Sequence, residues 1–102
     1  MKKLLNQFLR RQDHVVWKVI EGKGILLNLE NGSYFEVDPV GLTIWQRCDG
    51  KRTFSDIAQI VAEEFETGLD RVSLDLKEFV GELKRRRLAE LLDKPEAVSI
   101  KA

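Results

Sequence analysis

The chain has 102 residues, of which 43% are hydrophobic and 33% are charged, and this composition suits one domain built around a single core. Seventeen basic residues balance seventeen acidic ones, so no net charge draws the protein to nucleic acid or to an anionic membrane. One cysteine and one histidine exclude an internal disulfide and a zinc site built from Cys and His ligands. No apolar run approaches the roughly 20 residues of a membrane-spanning helix. These features together predict a cytoplasmic protein that does not contact membranes.

The first residues, "MKKLLNQFLRRQ", begin with positive charge as signal peptides do. Asn6 and Gln7 interrupt the apolar run, however, and no cleavage site of small residues follows it. We therefore expect residues 1–13 to form a flexible N-terminal arm.

Three strands are predicted next. Residues 14–20, "HVVWKVI", are β-branched and aromatic, and the glycines of "EGKG" separate them from a second such run. The dipeptide Asn31-Gly32 is typical of a type I′ turn, so residues 25–29 and 33–37 should pair as a hairpin. In that register Leu29 lies opposite Tyr34. The edge strand 33–37 carries apolar side chains on both faces and lacks the lysine, proline or bulge that usually protects an edge.

Three helices follow the strands. Asp38 and Pro39 are a cap and a first-turn residue for a helix over 39–49. Thr53 and Asp56 form an acidic capping box for a second helix that ends near residue 66, and Asp70 caps a third that ends near residue 87. Residues 91–102 are expected to form a loosely ordered tail. The predicted fold is α+β, with a three-stranded antiparallel sheet followed by three helices.

The apolar positions of the helices predict core packing. They recur at helical spacing, as Val40, Ile44, Trp45 and Cys48 in the first helix and as Val72, Leu76, Phe79, Val80 and Leu83 in the last.

Catalysis has little support in these residues. A nucleophile needs a base within hydrogen-bond reach, whereas His14 lies near a flexible end and Cys48 belongs to an apolar stripe. The glycines are scattered and form no phosphate-binding loop. We expect neither enzymatic activity nor a bound cofactor or metal.

Nucleic-acid binding is the alternative function, because residues 55–87 read as helix, turn, helix beside a hairpin that could serve as a wing. The opening turns of the supposed recognition helix carry Asp70, Asp75 and Glu78, where a DNA reader needs cations. The cations come later, at 84–87, where they complement the helix dipole. A further alternative is a dimer in which two exposed strand edges pair.

Several stretches together resemble the PqqD-like proteins, the recognition elements of pathways that make ribosomally synthesised, post-translationally modified peptides (RiPPs). The resemblance covers about residues 15–90, and its most specific parts are "LLNLENGSYFEVDPVGLTIW", "CDGKRT", "IAQIVAEEFE" and "FVGELKRRRL". It implies a winged helix-turn-helix-like domain, here residues 14–90, that is not an enzyme. It also implies that the domain holds the leader segment of a precursor peptide and presents it to a modifying enzyme, such as a radical S-adenosylmethionine enzyme or a leader peptidase.

In the family, the leader adds as a strand beside the third strand and lies in the groove between that strand and the third helix. Carried onto this chain, the resemblance places peptide binding at Ser33, Tyr34, Phe35, Glu36 and Val37. On the last helix we expect the flank with Leu76, Lys77, Val80 and Lys84, because its cations suit an acidic leader. The opposite flank, with Asp75, Phe79 and Glu82, is the alternative.

The hairpin also bears on the pathway. This chain reads "ENG" where the founding subfamily, which serves the synthesis of pyrroloquinoline quinone, tends to carry "PEG". The resemblance therefore leaves open whether the precursor belongs to a quinone, lasso-peptide or other pathway.

Overall fold

The structure is a computed structural model that describes residues 2–96. In chain order, the elements are α1 (Lys2–Leu5), β1 (Phe8–Arg11), β2 (Val15–Ile20), β3 (Lys23–Asn28), β4 (Tyr34–Val37), α2 (Pro39–Gln46), β5 (Asp49–Thr53), α3 (Phe54–Glu64), α4 (Leu69–Arg85) and β6 (Ala89–Leu92). Within the described residues the strands form two antiparallel sheets, ordered β2-β3-β4 and β5-β1-β6. The predicted α+β class and three-stranded hairpin sheet are confirmed.

The second sheet corrects the prediction of one sheet followed by three helices. Its strands read "FLRR", "DGKRT" and "AELL", which are short and lack the alternation of apolar and polar residues that marks a half-buried strand. They form because β1 lies between two distant segments, with Phe8 opposite both Thr53 and Leu92. Because β5 begins at Asp49, α2 ends at Gln46 and not at the predicted residue 49.

Both ends of the chain also differ from the prediction because of this second sheet. The predicted flexible arm contains β1, whose Leu9 is buried in the core with 1% of its surface exposed. Arg10 pairs with Glu96 and Asp13, both at 2.7 Å, and with Glu90 at 3.1 Å, so the arm is tied to the start of the predicted tail. The remainder of that tail, residues 97–102, lies outside the described residues.

The hairpin between β3 and β4 has a longer loop than predicted. Leu27 lies opposite Tyr34, and Asn28 N donates to Ser33 O at 2.9 Å, which leaves residues 29–32 as the loop. Gly32 has a φ of 73°, and Asn31 is not among the residues with positive φ, so this is not a type I′ turn. The predicted register, with Leu29 opposite Tyr34, is therefore wrong by two residues. A shift of two residues leaves every side chain on its predicted face.

The helix starts follow local chemistry. Asp38 accepts a bond from Gly41 N at 2.7 Å, and Thr53 and Asp56 form the reciprocal capping box, as predicted. The predicted cap at Asp70 is wrong, since the N-cap of α4 is Gly68 and makes no side-chain bond. Asp70 instead lies in the first turn, where its charge complements the helix dipole.

The core fills the space between the two sheets and the helices. Trp45 and Phe54 are fully buried, and four residues of α4 are buried on its apolar stripe: Val72, Leu76, Val80 and Leu83. Val40 is an exception in the predicted stripe of α2, because 36% of its surface is exposed. Among the described helices, none combines the length and apolarity that a bilayer crossing demands.

Cys48 belongs to this core and should be inert. It is fully buried, its Sγ donates to Ile44 O at 3.2 Å, and burial raises the pKa of its thiol to about 12. We expect the native protein to resist iodoacetamide at pH 8.5, while the chain in guanidinium reacts fully, as measured by intact mass. Native labelling at the rate of the unfolded chain would contradict the core role.

The same thiol makes stability fall at alkaline pH. Because its pKa is raised by folding, its full contribution to stability is present below the unfolded pKa of roughly 8.5. Above that pH the unfolded chain ionises first, and stability is lost progressively up to the folded pKa of about 12.

Candidate functional site

The strand β4 has an open edge, since no other described strand pairs with its outer side. Ser33 O accepts a bond from Asn28 N, and in an antiparallel ladder only alternate residues bond to a given neighbour. Phe35 and Val37 therefore direct their backbone groups toward β3. Tyr34 and Glu36 direct their N–H and C=O groups away from the sheet, where another extended chain can bind them.

The side chains of β4 divide between two environments. Val37 is buried and Phe35 is half-buried on the face that packs against the helices. Tyr34 and Glu36 lie on the opposite face, where Tyr34 exposes 68% of its surface. The strand is thus anchored on one face, while its edge and its other face remain accessible.

A groove of about 360 Å³ separates β4 from α4. It is lined by Phe35, Asp75, Glu78, Phe79 and Glu82. The rings of Phe35 and Phe79 stack with centroids 6.4 Å apart and form its apolar part.

A cation contacts two of the residues that line the groove, Phe35 and Glu82. The guanidinium of Arg86 lies 4.3 Å from the centre of the Phe35 ring, and its Nε is 2.6 Å from Glu82 Oε1. Glu82 also pairs with Arg85. The carboxylate of Glu82 is therefore neutralised by two arginines.

A second cavity of about 350 Å³ adjoins the groove and shares Asp75 and Phe79 with it. Its walls are mainly apolar and come from α2, α3 and α4, with Val40, Ile44 and Phe65 among them. A large apolar side chain that leaves the groove past Phe79 would enter this cavity.

The predicted site residues do not all lie together. Tyr34 to Val37 form the open strand, and Ser33 directly precedes it, where its hydroxyl donates to Asn31 Oδ1 at 2.7 Å. On α4, Leu76 and Val80 are buried with 1% and 4% of their surfaces exposed, so they pack in the core. Lys77 and Lys84 are exposed but do not line the groove.

The residues that face β4 are those of the alternative flank, Asp75, Phe79 and Glu82. The preferred flank and the observed one differ because the apolar stripe of α4 packs against two parts of the molecule. Leu76 and Val80 pack in a cluster with residues of α3, whereas Leu83 packs with Leu26 and Val37 of the sheet. Phe79 contacts both clusters and marks the side of the helix that turns toward the strand.

Two residues missed by the sequence analysis shape the groove, Asn28 and Arg86. Asn28 is fully buried, and its Nδ2 donates to Arg86 O at 3.1 Å while its Oδ1 accepts from Glu30 N at 2.9 Å. It thus joins β3 to the end of α4 and holds Arg86 over Phe35. The sequence did contain a signal for Asn28, because a polar residue at a position of β3 that faces the core needs hydrogen-bond partners there.

Residues 2–96 contain no cluster of three His, Cys, Asp or Glu side chains placed to hold a metal ion. His14 is occupied structurally, with its Nε2 2.9 Å from Arg87 O.

An open strand edge beside a groove is the geometry of proteins that bind peptides by strand addition. The chain belongs to the family described as Coenzyme PQQ synthesis protein D (PqqD), whose model matches residues 23–89. The sequence-based resemblance to PqqD-like proteins is therefore confirmed.

Two relatives and two solved structures are similar to this chain. The PqqA binding protein of Rhizobium meliloti (strain 1021) is 33% identical over 73 residues, which is 72% of each chain. That of Xanthomonas campestris pv. campestris (strain B100) is 34% identical over 56 residues, 55% of this chain and 61% of the relative.

The structure of TbiB1 in complex with the TbiA(beta) leader peptide has a TM-score of 0.73 and 30% identity, covering 79% of this chain and 94% of that one. Lasso peptide synthetase B1, complexed with the leader peptide, has a TM-score of 0.71 and covers 80% of this chain and 96% of that one. Its identity of 22% establishes the shared fold alone.

Proposed function

We propose that this protein is a non-catalytic module that captures the leader segment of a ribosomally synthesised precursor peptide and presents it to a modifying enzyme. The observation that carries the proposal is the open edge of β4 beside the groove containing Phe79. The similarity to PqqA binding proteins supports it, and so does the similarity to TbiB1, whose structure contains a bound leader peptide.

In this proposal the leader pairs with β4 through Tyr34 and Glu36, whose backbone groups face outward. Alternate leader side chains point into the groove, about 7 Å apart, because a strand rises about 3.4 Å per residue. One such side chain contacts Phe35 and Phe79, and the next one along reaches the cavity lined by Val40 and Phe65.

The charges of the groove favour apolar leader side chains over acidic ones. Asp75 pairs with Arg71 at 3.5 Å, and Glu82 with two arginines, whereas Glu78 has no ion-pair partner among the described residues. An acidic leader side chain would meet these carboxylates instead of the lysines that the sequence analysis preferred.

The enzyme that receives the leader belongs to a peptide-modifying pathway, for which a radical S-adenosylmethionine enzyme and a leader peptidase both remain candidates. We place the encounter in the cytoplasm, because the protein keeps one free buried thiol and so suits a reducing compartment. The nucleic-acid alternative gains no support, since Arg85 and Arg86 are paired with Glu82 and the opening turns of α4 are acidic.

The proposal is tested by recording amide NMR spectra during titration with the leader of the precursor encoded nearest to this protein. A scrambled leader and a DNA duplex are the controls. We expect shifts at residues 34–37 and along 75–86 for the true leader alone. No response to the leader would contradict leader capture, and shifts at residues 84–87 with DNA in that case would favour the nucleic-acid alternative.

Replacing Phe79 with alanine should weaken leader affinity about tenfold by calorimetry, because the groove loses the ring that stacks on Phe35. Leu74→Ala is the matched control, since Leu74 is an apolar residue of the same helix, 65% exposed and outside the groove. Equal affinities of the two folded variants would place the leader elsewhere.

A further inference from the structure

One wall of the groove carries a carboxylate that the protein itself leaves without a partner. Glu78 lines the groove beside Phe79, and among the described residues it makes neither an ion pair nor a side-chain hydrogen bond. The other two carboxylates of this wall differ, since Asp75 pairs with Arg71 and Glu82 pairs with two arginines. The charge of Glu78 is therefore available to a bound ligand.

The sequence of α4 explains why Glu78 has no partner. Side chains meet on a helix surface at separations of three and four residues, and around Glu78 these positions hold Leu74, Asp75, Gly81 and Glu82. None of them is a cation, and two are carboxylates that repel Glu78. A lysine at this position would pair with both carboxylates, so glutamate lowers the stability of the free helix. Residues that oppose local stability in this way concentrate at functional sites.

The position of Glu78 on α4 turns it toward the space where a leader strand would lie. Leu83 packs with Leu26 of β3, and Phe79, about 40° further around the helix, stacks on Phe35 of β4. Glu78 follows about 100° further in the same sense. A strand that pairs with the open edge of β4 lies about 4.8 Å beyond it, so its side chains face this part of the helix.

We propose that Glu78 selects a basic residue in the leader. The leader side chain that contacts Phe79 is a lysine or an arginine, whose alkyl stem packs on the ring and whose charged end pairs with the Glu78 carboxylate. Both residues combine an apolar stem with a charged end, which matches an aromatic ring beside an unpaired carboxylate. This inference rests on the proposed leader capture and names the class of leader that the groove takes.

Calorimetry with the leader of the precursor encoded nearest to this protein tests the proposal. Glu78→Gln should weaken binding about threefold, a modest change because Glu78 is exposed. Glu64→Gln is the matched control and should bind the leader as the unchanged protein does. Glu64 is an exposed carboxylate of α3 that lies outside the groove and has no ion pair among the described residues.

A double-mutant cycle identifies the leader residue that pairs with Glu78. Each lysine or arginine of the leader is replaced in turn by methionine, which keeps an unbranched apolar stem without the charge. We expect one of these leaders to bind the unchanged protein about threefold more weakly and to bind Glu78→Gln with no further loss, because the pair is already broken. The other substituted leaders should still lose about threefold in affinity when Glu78 becomes glutamine.

Glu78→Lys should change stability and affinity in opposite directions. The lysine pairs with Asp75 and Glu82 in the free protein, so the urea midpoint of unfolding should rise. Leader affinity should fall about tenfold, because the lysine repels the basic residue of the leader. Replacing that leader residue by glutamate should restore binding to Glu78→Lys. A Glu78 side chain that is only solvated would give the gain in stability without the loss in affinity.

Wild-type affinity in both Glu78 variants would overturn this proposal and leave leader capture intact, and so would the binding of a leader that contains no lysine or arginine. A leader that fails to bind the unchanged protein would overturn both proposals. The two failures are distinguishable, because leader capture is tested on the unchanged protein and the role of Glu78 on its variants.

Discussion

Replacing Tyr34 with proline is expected to weaken leader binding about tenfold while the hairpin stays folded. The N–H of Tyr34 faces the open edge, so proline removes a bond to the leader and none to β3. One hydrogen bond contributes about 0.5–1.5 kcal/mol net, and a tenfold change in affinity corresponds to about 1.4 kcal/mol. Calorimetry gives the affinity, and circular dichroism checks the fold.

Two controls isolate the lost N–H. Tyr34→Ala removes the ring and keeps the backbone donor, so its affinity separates the side chain from the bond. Val19→Pro is the matched backbone change. Leu29 N donates to His14 O at 2.9 Å, so the even-numbered residues of β2 direct their backbone groups toward β3. The N–H of Val19 therefore points toward the other edge of the sheet. Equal losses in Tyr34→Pro and Val19→Pro would show that the edge of β4 is not the binding edge.

Replacing Asn28 with alanine is expected to lower the free energy of unfolding by about 2–3 kcal/mol. Its fully buried amide makes two hydrogen bonds, and its loss leaves the Arg86 carbonyl without that donor. Leader affinity should fall as well, because Arg86 would no longer be held over Phe35. Urea unfolding measures the first effect, and calorimetry with the leader measures the second.

Asn31→Ala is the control for this change. Asn31 is exposed in the hairpin loop, and its side chain bonds Ser33, so the loss should stay below about 1 kcal/mol. Similar stability losses for the two asparagine variants would mean that the link between β3 and α4 does not stabilise the fold.

Features that depend on neighbouring residues could be predicted from the sequence. Asp38 and the pair Thr53 and Asp56 were predicted as caps, because a cap needs only a side chain and a backbone N–H two or three residues away. The faces of the hairpin were also right despite the shifted register, since the side-chain period of a strand is two.

Features set by distant residues could not be predicted. The strand β1 forms because β5 and β6 pair with it from far along the chain, and its own sequence, with two arginines in four residues, gives no strand signal. Similarly, the sequence analysis preferred the flank of α4 with Lys77 and Lys84 on charge alone. Which flank faces β4 depends on the packing of Phe79 on Phe35, and these two residues are too far apart in sequence for a local pattern to predict their contact.

The pairing of β1 with β6 also has a consequence for how the protein folds. It joins the first strand of the described chain to the last, so the cluster around Leu9 cannot close until both ends have met. Contacts at such sequence separation slow folding, because most of the chain must be confined before they form. The β2-β3-β4 hairpins, being local, should therefore form early, and exchange of amide hydrogens should reveal the second sheet as the step that completes the native state.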